Sequence, residues 1–265
     1  MKNVLNSIFM VGVMLSNICL ATPFKDSESN SKGPSIKKLQ AKWSGLDAAK
    51  AYKIAVVKYK KRSFKEAASY FLVAARNGLA EAQFTLGIML ENGQGLNKNH
   101  KQAAQFFRLA AKQGHVKAQY KLGYKYQHGE GVEQNSKKAA RILTPPAQFG
   151  YPQAQHALGT MYEAGIGVEQ SDETAAHLFL LAAQQGYPRA YYALGMMHEN
   201  GKWFDQCHEM ALKFISHAAR KGYFRAQDQL RTYNGRYSAA DHAEQQIFRE
   251  DLEELEGTFV GELNL

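Results

Sequence analysis

Nine histidines and two cysteines are the side chains of this sequence best fitted to hold a metal or attack a carbonyl carbon, and their spacing serves neither purpose. No two histidines fall at the His-Glu-x-x-His separation that puts two imidazoles on one helical face. The nearest approach to a ligand cluster is Cys207-His208 with His198, and scattered histidines are ordinarily solvated. No Ser/His/Asp arrangement or close carboxylate pair stands ready to activate a nucleophile or shuttle protons. Cys207 falls where a helix should begin, a place that can lower a thiol pKa; a neutral substitute for a capping residue is the plainer reading. The expectation is a protein that is not an enzyme and uses no cofactor or metal. The other side chains with chemistry to offer are aromatic, and they recur in register.

That register comes from an internal repeat, the strongest signal in the chain. Blocks of 36 residues start at Leu79, His115, Tyr151 and Tyr187, and each ends in glycine: Gly114, Gly150, Gly186, Gly222. Position 4 is always alanine (Ala82, Ala118, Ala154, Ala190), and positions 8 and 9 are always Leu-Gly, from Leu86-Gly87 to Leu194-Gly195. Ala and Leu four apart share a helical face. Glycine inside a helix costs about 1 kcal/mol against alanine, so four in register imply close helix approach. A Gly-x-Gly follows in three copies (Gly93/Gly95, Gly129/Gly131, Gly165/Gly167), whereas the fourth keeps only Gly201. These glycines mark a turn with positive φ. Asn99, Asn135 and Ser171 stand where a second helix needs an N-cap, and the terminal glycines suit a left-handed helix stop. Alanine pairs such as Ala103-Ala104 and Ala110-Ala111 let that second helix pack closely. Each block is thus helix A, a glycine turn, helix B and a glycine stop.

The pattern Ala-x-x-x-Leu-Gly, then Gly-x-Gly-Val, then paired alanines and a closing glycine resembles the Sel1-like repeat family, most closely in Ala118–Val132 and Ala154–Val168. The resemblance covers residues 79–222 well and 46–78 and 223–234 in part. It implies an all-α fold, a right-handed α-solenoid of helix-turn-helix repeats related to tetratricopeptide units, and a role as an adaptor. Many bacterial members are exported, and some regulate envelope proteins or contact host cells. A cysteine-rich subgroup has been linked to β-lactam binding; this chain lacks its cysteines, and that activity is not carried over.

In such a fold helices A line a concave face. Position 6 reads Phe84, Tyr120, His156, Tyr192, and position 10 reads Ile88, Tyr124, Thr160, Met196. Position 13 adds Glu91, Gln127, Glu163 and Glu199. An aromatic stripe edged with carboxylates would suit a peptide, and the same stripe could pack between repeats. Trp203 and Phe204 replace the glycine turn of the fourth copy, as an exposed anchor or as filling for an altered loop. Pro145-Pro146 should break helix B of the second copy near Thr144. The candidate protein-binding set is Phe84, Tyr120, Tyr124, His156, Tyr192, Met196, Glu91, Glu163, Glu199, Trp203 and Phe204.

The ends differ from the repeats. Lys2, an apolar run to Leu20 and Ala21 read as a signal peptide over 1–21, which points to a periplasmic or secreted bacterial protein. Residues 22–45 read as a flexible leader. Residues 46–78 form a tetratricopeptide-like hairpin, with Ser63-x-x-Glu66 as a capping box. Residues 223–265 hold a partial repeat, a break at Asn234-Gly235 and a last helix to about Glu256 that caps the solenoid or docks on a partner. The formal net charge is +9, yet from residue 238 onward eight acids face Arg249 alone. Such asymmetry favours electrostatic docking. The basic stretch Lys58, Lys60, Lys61, Arg62, Lys65 could meet nucleic acid, which export argues against. No other segment is apolar enough to span a membrane. The leading expectation is an exported scaffold that binds a protein or peptide through its concave face, in envelope regulation or host interaction. The alternative is a cell-wall-acting enzyme or direct peptidoglycan binder.

Overall fold

The computed structural model describes residues 47–237. The expected signal peptide and leader, and the expected C-terminal helix, lie outside the described residues. Within them the chain forms α1 (Ala48–Lys60), α2 (Phe64–Arg76), α3 (Ala80–Asn92), α4 (His100–Lys112), α5 (Val116–His128), α6 (Ser136–Gln148), α7 (Pro152–Ala164), α8 (Asp172–Gln184), α9 (Pro188–Asn200), α10 (His208–Arg220) and α11 (Phe224–Tyr237). No strand occurs among the described residues. The architecture is all-α: helix-turn-helix repeats packed in sequence.

The chain divides into two compact units. One runs through Ala118 and includes Glu130–Val132; the other comprises Gln119–Gly129 and continues from Glu133. In the first, α1 packs on α2, α2 on α3 and α3 on α4. In the second, α6 to α11 pack each on the next, and α7 meets α8 more extensively than it meets α6.

The recurring residues explain these contacts. A Cβ on Gly87 would lie 2.7 Å from the Phe107 ring, and one on Gly159 would lie 2.6 Å from Phe179. Gly123 faces Leu143 and Gly195 faces Ile215 in the same way. The Leu-Gly column therefore lets helix A close onto the large apolar residue of helix B. The alanine pairs around those residues are buried: Ala103-Ala104 with Phe107, and Ala175-Ala176 and Ala182-Ala183 with Phe179 in one core cluster. Small residues bring the backbones near, and one large residue per helix B fills the remaining space.

The predicted caps form at three starts. Asn99 accepts from the Gln102 amide, Asn135 from Lys138 and Ser171 from Thr174. The closing glycines are left-handed, with φ from 75° at Gly186 to 88° at Gly78. The second glycine of each Gly-x-Gly has a stricter reason. A Cβ there would meet backbone at 2.3 Å over Phe64 (Gly95), 2.3 Å over His100 (Gly131) and 2.4 Å over Ser136 (Gly167). Each turn thus rests on the first residue of the preceding helix B.

Three local expectations are corrected. Helix α6 runs through Pro145 and Pro146 to Gln148. The prolines lie in its last turn, where they cost only the amide donors to two carbonyls. Pro146 and Ala147 are buried in exchange, and the Thr144 hydroxyl donates to the Ala140 carbonyl at 2.9 Å. Ser63 makes no side-chain cap, because its ψ of 63° is not the extended cap geometry, and Glu66 pairs with Lys58 at 2.6 Å. Asn234-Gly235 does not break the chain, since α11 continues to Tyr237; one interior glycine costs too little to end a helix.

Candidate protein-binding surface

The aromatic column at position 6 becomes a set of inter-repeat stacks. Phe84 stacks on His115 with centroids 4.6 Å apart. Tyr120 meets Tyr151 edge-on at 5.5 Å, His156 meets Tyr187 at 5.5 Å and Tyr192 meets Tyr223 at 5.3 Å. In every case the partner is the first residue of the next block. All four position-6 residues are half-buried. Burial pushes the Tyr120 hydroxyl up to about 12, reinforced by neighbouring tyrosines. Burial, with the Arg189 charge adding to it, holds His156 down to about 4. His156 is therefore a neutral aromatic at physiological pH, equivalent to the phenyl and phenol rings of its column.

The other members of the predicted set are spread among different partners. Tyr124 is more than one-third exposed and stacks on His128 at 4.0 Å. Met196 packs beside Tyr192 against the Ile215 cluster. Glu163 pairs with Lys202 at 3.0 Å, and Glu199 with the His208 imidazole at 2.8 Å. Glu91 lies near His100 and Glu130.

Trp203 and Phe204 part company. Phe204 is half-buried and stacks on His198 at 4.3 Å; His198 stacks on Phe214 at 5.4 Å on its other contact. Burial lowers the His198 pKa, opposed in part by a hydrogen bond with the Asp205 backbone. This phenylalanine fills the altered turn. Trp203 is 56% exposed and adopts φ 63°, at the position taken by Gly95, Gly131 and Gly167 in the other copies. Cys207, at the cap position of α10, makes no capping bond.

Sequence reading missed two features. The first is a glutamine column at position 5. Gln83 donates to the Ala75 carbonyl at 3.0 Å and accepts from Gln113 at 2.8 Å, and Gln155 repeats the arrangement with Ala147 and Gln185. These buried amides tie each helix A to the carbonyl end of the preceding helix B. The signal was present, as Gln83, Gln119, Gln155 and Gln227 stand in register with Tyr191 as the exception. The second is a groove of about 540 Å³ floored by Leu158, Leu178 and Leu181 and edged by Gln155, Tyr162, His177 and Gln185. Its lining includes Gln155 and Tyr162 of α7 but not His156 or Glu163. None of the residues lining it belongs to the predicted set.

A family model described as Sel1 repeat matches residues 80–115, 116–144, 152–187 and 188–223. The second match stops immediately before Pro145-Pro146. The crystal structure of a Sel1 repeat protein from Oxalobacter formigenes is similar with a TM-score of 0.65 and 28% identity, over 72% of this chain and 80% of that one. A protective antigen present in uropathogenic Escherichia coli strains and displaying the same type of repeat fold is similar at TM-score 0.65 and 28% identity. There 84% of this chain is covered, but only 49% of the antigen, so the chain spans about half its length. No curated protein is matched by the sequence. Proteins of this repeat generally act as protein–protein interaction scaffolds and are typically non-catalytic. No helix among the described residues is long and apolar enough to cross a membrane. With four matched repeats and two solved relatives of the same fold, the chain belongs to the Sel1 repeat family.

Proposed function

We propose that this protein is an exported scaffold that captures a protein or peptide partner, with Trp203 as the anchor of the contact. The observation that carries the reading is the conformation of Trp203. A residue with a Cβ at φ near +60° costs roughly 1–2 kcal/mol, and three copies avoid that cost with glycine. The fourth holds an indole there and leaves more than half of it in solvent. Strain kept at an exposed aromatic points to a use outside the fold, and tryptophan is among the side chains most enriched at binding hot spots. The exposed parts of Tyr120, Tyr192 and Tyr124 extend the surface; Tyr120 and Tyr192 also hold the ring contacts between repeats, and Tyr124 stacks on His128 within its own helix. Export rests on the charged and apolar N-terminal segment. Likeness to an antigen of a pathogenic strain supports a role at the envelope or in host contact.

The test is a pull-down from envelope and culture fractions with wild type, Trp203→Ala and Tyr120→Ala, each checked for helical content. Loss of one specific protein with Trp203→Ala, at unchanged helicity, is the expected result. Retention of the same partner by both variants would move the contact away from this surface.

A further inference from the structure

Three residues from three different elements converge in the first compact unit: Glu91 near the end of α3, His100 at the start of α4, and Glu130 in the Gly129–Gly131 turn. One ligand atom from each lies within 4.8 Å of the other two. All three are half-buried. The imidazole Nδ1 of His100 is sealed from solvent without a hydrogen-bond partner. The convergence is built into the repeat, because Gly131 rests directly on the His100 backbone and so carries Glu130 to the head of α4.

The same three columns carry different residues in the other repeats. One junction has Gln127, Ser136 and Ile166, all uncharged. Another has Glu163, Asp172 and Lys202, and there the lysine ammonium sits 3.0 Å from the Glu163 carboxylate. At Glu91, His100 and Glu130 two of the columns hold carboxylates and the other an imidazole, with their ligand atoms gathered within 4.8 Å. That trio offers two carboxylates and a ring nitrogen as lone-pair donors, the needs of a divalent cation.

We propose that Glu91, His100 and Glu130 form a binding site for a divalent transition-metal ion of the zinc class. Two carboxylate oxygens and one imidazole nitrogen are a ligand set for Zn²⁺ and its first-row neighbours rather than for Ca²⁺, which takes six to eight oxygens. Metal–ligand bonds of about 2.0–2.2 Å place tetrahedral ligands roughly 3.4 Å apart, so the flexible glutamates close by about an ångström on binding. A fourth position would be left to water or to a side chain from a partner. The bound ion would fasten the turn of one repeat to the helix of the one before it.

The experiment uses tag-free full-length chain stripped with chelator. Co²⁺ is added and its visible d–d absorption followed; Zn²⁺ is then titrated calorimetrically, and the unfolding midpoint measured with and without it. One equivalent of Zn²⁺, displacing Co²⁺ and raising the midpoint, is expected in wild type. His100→Ala and Glu130→Gln should each weaken uptake by at least about tenfold with unchanged far-UV circular dichroism, whereas Glu199→Gln, at the His208 pair, should leave it intact. If His100→Ala fails to fold, Glu130→Gln in the turn and Glu91→Gln decide the matter. Absence of one-equivalent uptake, or uptake indifferent to all three ligand substitutions, overturns the proposal.

Discussion

Gln155 and Gln185 are 30 residues apart in sequence, and their side-chain amides meet at 2.9 Å, Gln185 Nε2 donating to Gln155 Oε1. Gln155 Nε2 in turn donates to the Ala147 carbonyl at 3.2 Å. One buried amide thereby joins α6, α7 and the end of α8. Gln155→Leu leaves the Ala147 carbonyl without its side-chain donor and should destabilise the protein by about 1–3 kcal/mol. Gln185→Ala, at an exposed position, should cost less. Urea unfolding of the two variants would show the order, and equal effects would mean that the buried amide is not the joint.

Gly150 and Gly167 separate backbone conformation from backbone contact. Their φ values are 78° and 77°, so alanine pays the same left-handed penalty of roughly 1–2 kcal/mol at each. A Cβ on Gly150 meets nothing within 4 Å, whereas one on Gly167 would lie 2.4 Å from the Ser136 carbonyl carbon. Gly167→Ala should therefore cost about 1–3 kcal/mol more than Gly150→Ala. Paired denaturation curves that coincide would show that the turn does not need to rest on α6.

Trp203→Gly should relieve the positive-φ strain and stabilise the fold by about 1 kcal/mol, while weakening partner capture. A lower unfolding midpoint in this variant would mean that the indole's intramolecular contacts outweigh the strain, and that its retention has a structural cause.

His156 predicts a pH dependence whose sign follows from its lowered pKa of about 4. The unfolded chain takes up this proton near pH 6.5, while the folded chain resists it. The imidazole thus contributes stability that is fully present above about pH 6.5 and is lost as pH falls toward 4, on the order of 3 kcal/mol. His156→Phe keeps a ring against Tyr187 and Phe179 and should flatten stability between pH 6.5 and 4.5. A variant with the wild-type slope would assign the dependence to other groups.

The repeat itself is fully legible in the sequence. The glycines at the ends of the blocks, the Leu-Gly column and the Asn/Ser caps each answer a local requirement, of left-handed φ, of close helix approach or of an unpaired amide, and local requirements leave periodic marks on a sequence. Expectations failed where tertiary context overrode a local rule. The proline pair stays helical because it falls in a last turn packed on α7, and Ser63 loses its cap because the tight turn out of α1 holds its ψ at 63°, away from the extended cap geometry.

The sequence by itself determined the helices, their order and their spacing, since these follow from short-range backbone preference repeated every 36 residues. Only the tertiary structure decided what the columns do. It turned the position-6 aromatics toward the next repeat, paired Glu163 with Lys202, and brought Glu130 to His100 and Glu91. Such convergence depends on how a turn seats on a helix 30 residues earlier, a distance no local preference encodes. Trp203 joins both kinds of information: its column was readable in the sequence, but its strain and exposure emerged only from the folded chain.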